Sequence, residues 1–264
     1  MIGNLSGRVA IVFGAGSGTD GMSNGQAATM TYARAGARVV AVDLSQDAVR
    51  RTVESVAEEG GDALAVTADA TDSRSVAAAV QAALSSYGRI DVLHNNVGVT
   101  TLGGPVDLDY EDWKRAFAIN VDTVFLTAKH VLPTMLEQRR GAIVNVSSVA
   151  ALRDVGYPYP AYMASKAAVN QVTVSLALTH AADGIRANAV APGFMDTPLV
   201  RRQLAGQAES IDELLATRHR ASPTGRMGTC WDVANAALFL ASDEATYVNG
   251  VCLPVDGGLA MRCG

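Results

Sequence analysis

The chain has 264 residues, 49% of them hydrophobic but only 5% aromatic, and a formal net charge of −5. This suits one large α/β unit with an aliphatic core, and the acidic balance argues against a nucleic-acid binder, which would show a basic patch. Apolar runs are too short to span a membrane, Met1-Ile2-Gly3-Asn4 lacks the basic and apolar regions of a signal peptide, and neither the cysteines (Cys230, Cys252, Cys263) nor the histidines (His94, His130, His180, His219) show disulfide or metal spacing.

In chain order, the first β-rich apolar run is Val9–Phe13, followed at once by the glycine-rich loop Gly14–Gly25 and a helix over Gln26–Ala35. A second run, Arg38–Val42, ends on Asp43 and leads into a helix over Gln46–Glu58. Ala63–Thr67, Asp91–His94, Ala142–Val146, Ile185–Val190 and Val251–Val255 complete the strand candidates, with alanine-rich stretches between them and a last helix over Trp231–Ala241. Gly36, Gly60, Gly88, Gly141 and Gly184 each precede a strand run, where a helix end takes a left-handed residue. Leu199–Thr224, roughly bounded by Pro198 and Pro223, reads as a polar, helical excursion. The alternation predicts an α/β fold: a doubly wound, mostly parallel seven-stranded sheet with helices on both faces. No linker divides the chain, so a single domain over 1–264 is expected, with a substrate-side excursion at about 194–226.

Ligands of such sheets bind at the carboxyl ends of the strands. The Gly14–Gly25 loop, Asp43, Asp69, Asn95-Asn96, Ser147-Ser148 and Pro192-Gly193 all fall there. Gly14, Gly16 and Gly18, with Ser17 among them, let the backbone approach a pyrophosphate, and the helix opening at Asn24-Gly25 offers N–H donors. Asp43 suits the adenosine ribose hydroxyls and repels a 2′-phosphate; its alternative is an acid ahead of the helix Gln46–Glu58. No Lys or Arg at 44–46 or at position 17 reverses that sign, so the expected cofactor is NAD.

Tyr162 and Lys166, four apart on a helix, share one face. A free phenol, with a pKa near ~10, is too weak an acid for neutral pH, and a fixed cation favours its anion. The pair reads as a general acid/base for a carbonyl/alcohol couple. Tyr157 and Tyr159 have Ala161 and Met163 at that spacing instead of Lys.

Taken in order, Gly14-x-x-x-Gly18, Asn95-Asn96-Val97-Gly98, Asn120, Ser148, Tyr162-x-x-x-Lys166, Pro192-Gly193-x-x-x-Thr197 and the ending Tyr247 to Gly258 strongly resemble the short-chain dehydrogenase/reductase family, in its shorter, single-domain branch. The likeness covers nearly the whole chain and implies a Rossmann-like fold. It implies that Tyr162 is the acid/base, that Lys166 holds the nicotinamide ribose and lowers the tyrosine pKa, and that Ser148, rather than Ser147, binds the substrate oxygen. Asn120 would place a water in a proton relay to Lys166, or is a satisfied buried amide. Asp69 and Ala70 would meet the adenine, with Leu44 beside Asp43. Asn95 would steady the central strands, with Val97 and Gly98 near the cofactor. Pro192, Gly193, Met195 and Thr197 would meet the nicotinamide end. The implied activity is hydride transfer between NAD and a small secondary alcohol or ketone, by a cytoplasmic homotetramer with no metal, nucleic-acid or membrane partner. The rival readings are an NAD(H)-binding regulatory or scaffold protein without turnover and a nucleotide-sugar epimerase or dehydratase.

Two segments depart from the family pattern. Thr19-Asp20-Gly21-Met22-Ser23-Asn24 separates Gly18 from Gly25, where the family places one aliphatic residue. Asn24 is expected to cap the helix at Gly25, and the insertion either serves the cofactor or is a passive surface loop. Tyr157-Pro158-Tyr159-Pro160 is rigid and aromatic, and Pro160 suits the start of the Tyr162 helix. Its tyrosines either wall an apolar pocket or simply pack. Arg153 is either an anchor for an acidic substrate or a solvated charge.

Overall fold

The computed structural model describes residues 3–18, 21–198, 200 and 211–262. Thr19 and Asp20 of the insertion, Leu199 and 201–210 of the excursion, and Cys263 lie outside the described residues. Strands β1 (Val9–Phe13), β2 (Arg38–Asp43), β3 (Ala63–Thr67), β4 (Val92–Asn95), β5 (Gly141–Val146), β6 (Ile185–Pro192) and β7 (Cys252–Val255) form one sheet in the order β3-β2-β1-β4-β5-β6-β7. Every neighbouring pair is parallel. The chain winds outward from β1 to β3, then crosses to β4 and winds the other way. A crevice therefore opens above the β1/β4 boundary.

The helices are α1 (Asn24–Arg34), α2 (Gln46–Glu58), α3 (Ser73–Tyr87), α4 (Tyr110–Phe117), α5 (Thr123–Gln138), α6 (Pro160–His180), α7 (Ile211–Ala221) and α8 (Cys230–Ala241). Alternate strand residues feed two cores. Ala10, Val12, Val39, Ala41 and Val144 pack with Ala27 and Ala28 of α1 and Val233, Ala237 and Leu240 of α8. Ile11, Phe13, Val40, Leu93 and Ile143 pack with Val76 and Val80 of α3 and Val131 and Met135 of α5. Strands buried on both faces read as continuous apolar runs, which is how the sequence reads. Each large aliphatic side chain buried this way contributes roughly 1.5–3 kcal/mol.

Local chemistry corrects two expectations. Gly36, Gly60, Gly88 and Gly184 do have positive φ, but Gly141 does not. There the left-handed residue is Arg139, with φ 52°, at the end of α5. Gly141 instead clears Met135, because a Cβ on it would stand 2.4 Å from the thioether sulfur. At α1 the cap is Ser23, not Asn24: Ser23 Oγ accepts from the Gln26 N–H at 3.1 Å. Asn24 lies inside the first turn. The described part of the excursion contains α7, whose Leu215 meets Phe194, Ile211 and Met227 in a small separate apolar cluster. Among the described residues, no helix is long and apolar enough to cross a membrane.

Candidate active site

A cleft of about 770 Å³ opens at the carboxyl ends of the central strands. The glycine-rich loop forms one end of it. Four successive loop carbonyls are each held by a side-chain donor. Asn96 Nδ2 donates to Gly14 O at 2.9 Å, Thr52 Oγ1 to Ala15 O at 2.9 Å, Ser23 Oγ to Gly16 O at 2.8 Å and Arg51 Nη2 to Ser17 O at 2.7 Å. Acceptor oxygens that would oppose an anion are thereby engaged with the protein. The loop also has no room for side chains. A Cβ on Gly25 would stand 1.9 Å from Gly14 O, and one on Gly16 would stand 2.6 Å from Asp43 Cγ. Asp43 is fixed by the Gly16 N–H at 2.8 Å and the Ser45 N–H at 3.0 Å.

At the other end, Pro160 opens α6 and places Tyr162 in its first turns. Ser148, which caps a short 3-10 turn after β5, and Thr100, in the β4–α4 loop, line the cleft with the Tyr162 phenol, and their hydroxyls pull its pKa down. Burial acts more strongly and holds the phenol above the ordinary tyrosine value. This overturns the expected lowering by Lys166. Burial weakens the lysine's own charge, bringing its pKa down to about 8, and its Nζ donates to Val146 O at 2.9 Å.

Asn120 is fully buried in a π-helical turn, Ala118–Asp122, between α4 and α5. Such turns often mark functional positions. Its side chain is a brace: Oδ1 accepts from the Val99 N–H at 2.8 Å, and Nδ2 donates to Val99 O at 3.0 Å and Ser165 Oγ at 2.9 Å. Ser165 Oγ then donates to Tyr162 O at 3.0 Å. Asn95 acts similarly below the cleft, accepting from Thr127 Oγ1 and donating to Asn145 Oδ1, each at 2.8 Å.

Most of the residues expected at the site do line the cleft: Gly14, Gly16, Asn24, Asp43, Leu44, Asp69, Ala70, Val97, Gly98, Ser148, Tyr162, Lys166, Pro192, Gly193, Met195 and Thr197. Ser17, Gly25, Asn95 and Asn120 are buried behind the lining, and Gly18 carries the loop toward residues 19 and 20. Ser23 and Asn96, both in segments expected at the site, also line it, as do Thr71, Thr100, Arg115 and Ile119, which were missed. Thr100 and Arg115 carry no local signal. Ser147 Oγ donates to Lys166 O at 3.2 Å, a structural contact. Arg153 neither faces solvent alone nor reaches the cleft: it donates to Ala260 O at 2.9 Å and also to Arg262 O. Tyr157 stacks on Tyr159, and Tyr159 meets Tyr162 edge-on with centroids 5.4 Å apart. Arg218 Nε donates to Tyr157 Oη at 2.9 Å from the far side.

A second cleft, about 810 Å³, lies at the opposite, amino ends of the strands. Its cations are spent internally. Arg8 pairs with Asp91 and Asp243, Arg140 pairs with Asp243, and Arg186 donates to Leu240 O and Ser242 O. The carboxyl-end cleft is the one whose groups remain available. There, Asn24 Oδ1 is buried without a partner among the described residues, beside a capped helix N-terminus and an anchored carboxylate. That donor and acceptor set fits a dinucleotide.

A family model described as enoyl-(acyl carrier protein) reductase matches residues 20–260. The chain is 42% identical to 2-(R)-hydroxypropyl-CoM dehydrogenase of Xanthobacter autotrophicus over 255 residues, 95% of this chain and 97% of that one. A solved chain described as a short-chain dehydrogenase/reductase from Burkholderia xenovorans superposes with a TM-score of 0.96 at 42% identity, covering 98% of this chain and 99% of that one. Another, described as an NAD(P)-dependent gluconate 5-dehydrogenase from Beutenbergia cavernae with NADP bound at low occupancy, gives a TM-score of 0.88 at 35% identity, covering 99% of this chain and 100% of that one. Sheet order, cleft and relatives agree, and the chain belongs to the short-chain dehydrogenase/reductase family of nicotinamide-dependent oxidoreductases.

Proposed function

We propose that this protein is an NAD-dependent dehydrogenase/reductase acting on a small secondary alcohol or its ketone. The observation that carries this reading is a phenol, Tyr162, in the same cleft as the Ser148 hydroxyl and the anchored Asp43 carboxylate. When bound, the cofactor gives or takes the hydride. The chain does the rest. Asp43 receives the ribose hydroxyls and disfavours a 2′-phosphate. The α1 N-terminus behind Ser23 meets the pyrophosphate. Ser148 holds the substrate oxygen, and Tyr162 takes its proton in oxidation or returns it in reduction. Lys166, buried in the same cleft, holds the nicotinamide ribose. Two of the relatives are named for dehydrogenation at a secondary carbinol, which supports the substrate class. By family resemblance the protein works as a cytoplasmic homotetramer, one domain with its excursion beside the cleft, and gel filtration checks the assembly.

The test is an oxidation screen of diverse secondary alcohols with NAD, read by NADH absorbance. Tyr162→Phe should lower kcat by at least ~10²-fold, the lower range for a lost general acid, while NADH affinity stays within twofold. A variant with wild-type kcat would sink the assignment. Tight NADH binding with no turnover of any alcohol would instead favour a binding protein.

A further inference from the structure

Two segments border the proton-transfer end of the cleft: the one that follows β6, Gly193 to Thr197, and the first turn of α6, which bears Tyr162. Arg218 of α7 reaches toward both. Its guanidinium carbon stands 4.6 Å from the ring centroid of Phe194, in the first segment, and 5.1 Å from that of Tyr157, ahead of α6. Both are cation–π distances. Its Nε also donates to Tyr157 Oη at 2.9 Å. The helix that carries it is itself held: Leu215 is buried in the apolar cluster with Phe194, and His219 Nδ1 accepts from the Met227 N–H at 3.0 Å. From Tyr157 the contacts run ring to ring. Tyr157 stacks on Tyr159 with centroids 5.6 Å apart and planes 13° from parallel, and Tyr159 meets Tyr162 at 5.4 Å and 90°. Tyr159 is the cap position of α6, yet it makes no side-chain capping bond. The first turn thus lacks the acceptor that commonly fixes a helix entry. The entry is fixed instead by the Gly103 N–H to Pro158 O bond at 2.9 Å and by this aromatic column.

Resting on the acid/base reading above, we propose that Arg218 is a positioning residue for Tyr162: acting through Tyr157 and Tyr159, it holds the phenol ring in register with the segment that carries Phe194. An arginine suits this task. Its flat, delocalised cation stacks on aromatic faces and still presents directed N–H donors, which a lysine ammonium does not match. Stacked and edge-on ring pairs have preferred angles, so fixing Tyr157 at one end of the column biases the orientation of Tyr162 at the other. Proton transfer to or from a substrate oxygen needs that orientation, and small displacements of a reacting group cost rate.

The test watches Tyr162 without needing turnover. The chain has seven tyrosines, so labelling with 3-fluorotyrosine gives a tractable fluorine NMR spectrum, in which Tyr162→Phe identifies the Tyr162 resonance. In the NAD-saturated protein, Arg218→Met should displace that resonance by more than its linewidth. In the Tyr159→Leu background the same substitution should leave it where it is, because the column is already cut. With an alcohol found by the screen, kcat should fall roughly tenfold, short of the ~10²-fold that a misplacement of about 1 Å costs. NAD affinity by calorimetry should stay within about twofold of wild type, since Arg218 is no part of the proposed dinucleotide grip. If Arg218→Met does not fold, Tyr157→Phe takes its place, removing only the 2.9 Å bond and keeping the stacked ring. An unmoved Tyr162 resonance, or one displaced equally in the Tyr159→Leu background, overturns the proposal even if alcohols turn over. So does a fall in kcat matched by an equal fall in NAD affinity, which marks a general loosening of the fold. A displaced resonance with no turnover of any alcohol leaves the positioning role standing and sinks the dehydrogenase reading.

Discussion

Replacing Lys166 with Met should make the protein more stable at neutral pH while abolishing alcohol oxidation. Lys166 is 4% exposed, and burial brings its pKa from 10.5 to about 8. That fall corresponds to roughly 3 kcal/mol of penalty on the charged form. Methionine keeps most of the stem volume and removes the charge. It also leaves Val146 O without the 2.9 Å donor it has now, a loss of about 1 kcal/mol. The net gain at neutral pH is therefore about 2 kcal/mol, or roughly 4–8 °C in Tm for a chain of this size. The pH dependence carries the sign. The folded pKa lies below the unfolded one, so wild type gains stability as the pH rises from about 8 to about 10.5 and lacks it below that window. The variant has no such term. Urea unfolding at a series of pH values should show Lys166→Met ahead near neutrality and wild type level or ahead near pH 10.5. A variant less stable than wild type at neutral pH, or a difference that does not change across the window, would refute the reasoning.

Three other outcomes are expected. Asp43→Ser should narrow the preference for NAD over NADP by removing a repulsion of about 1–4 kcal/mol; kcat/KM for both cofactors at low and high salt measures it, and equal wild-type values at low salt would contradict it. Gly98→Ala would set a Cβ 2.9 Å from Lys166 Nζ and 3.2 Å from Asn120 Oδ1; displacing both by a fraction of an ångström should cost roughly 10²-fold in turnover with Tm nearly unchanged. His94, with Nδ1 2.8 Å from Tyr32 Oη, has its pKa lowered to about 4 by burial; stability present above about pH 6.5 should fall by about 3 kcal/mol as the pH drops toward 4, and His94→Gln should flatten that slope in acid unfolding curves.

The sheet was legible because two-sided burial leaves an unbroken apolar run for each central strand, and α2 was read to its last residue, Gln46–Glu58. Asp43, Ser148, Tyr162 and Lys166 were legible because their chemistry needs those residue types at fixed intervals along the chain. What stayed hidden depends on contacts between distant segments. Thr100 reaches the cleft on a segment whose Val99 is held by Asn120, more than twenty positions later. The direction of the Tyr162 shift depends on how dry the phenol is, which spacing does not encode. Arg153 was read as a substrate anchor or a solvated charge because its partners are backbone carbonyls more than a hundred positions later. The insertion was read as serving the cofactor or as a passive surface loop, yet its Met22 packs against the edge of the α1/α8 core.

The four tethered carbonyls of Gly14 to Ser17 make cofactor affinity a shared property of the molecule. Asn96, Thr52, Ser23 and Arg51 come from three separate parts of the chain, yet each restrains a neighbouring peptide of one loop. Once one tether is cut, the adjoining peptides can rotate, and the remaining tethers then hold a loop that is already loose. Paired substitutions among these four should therefore weaken dinucleotide binding by less than the sum of the single effects. Scanning the positions one at a time would credit each with the stiffness of the whole loop.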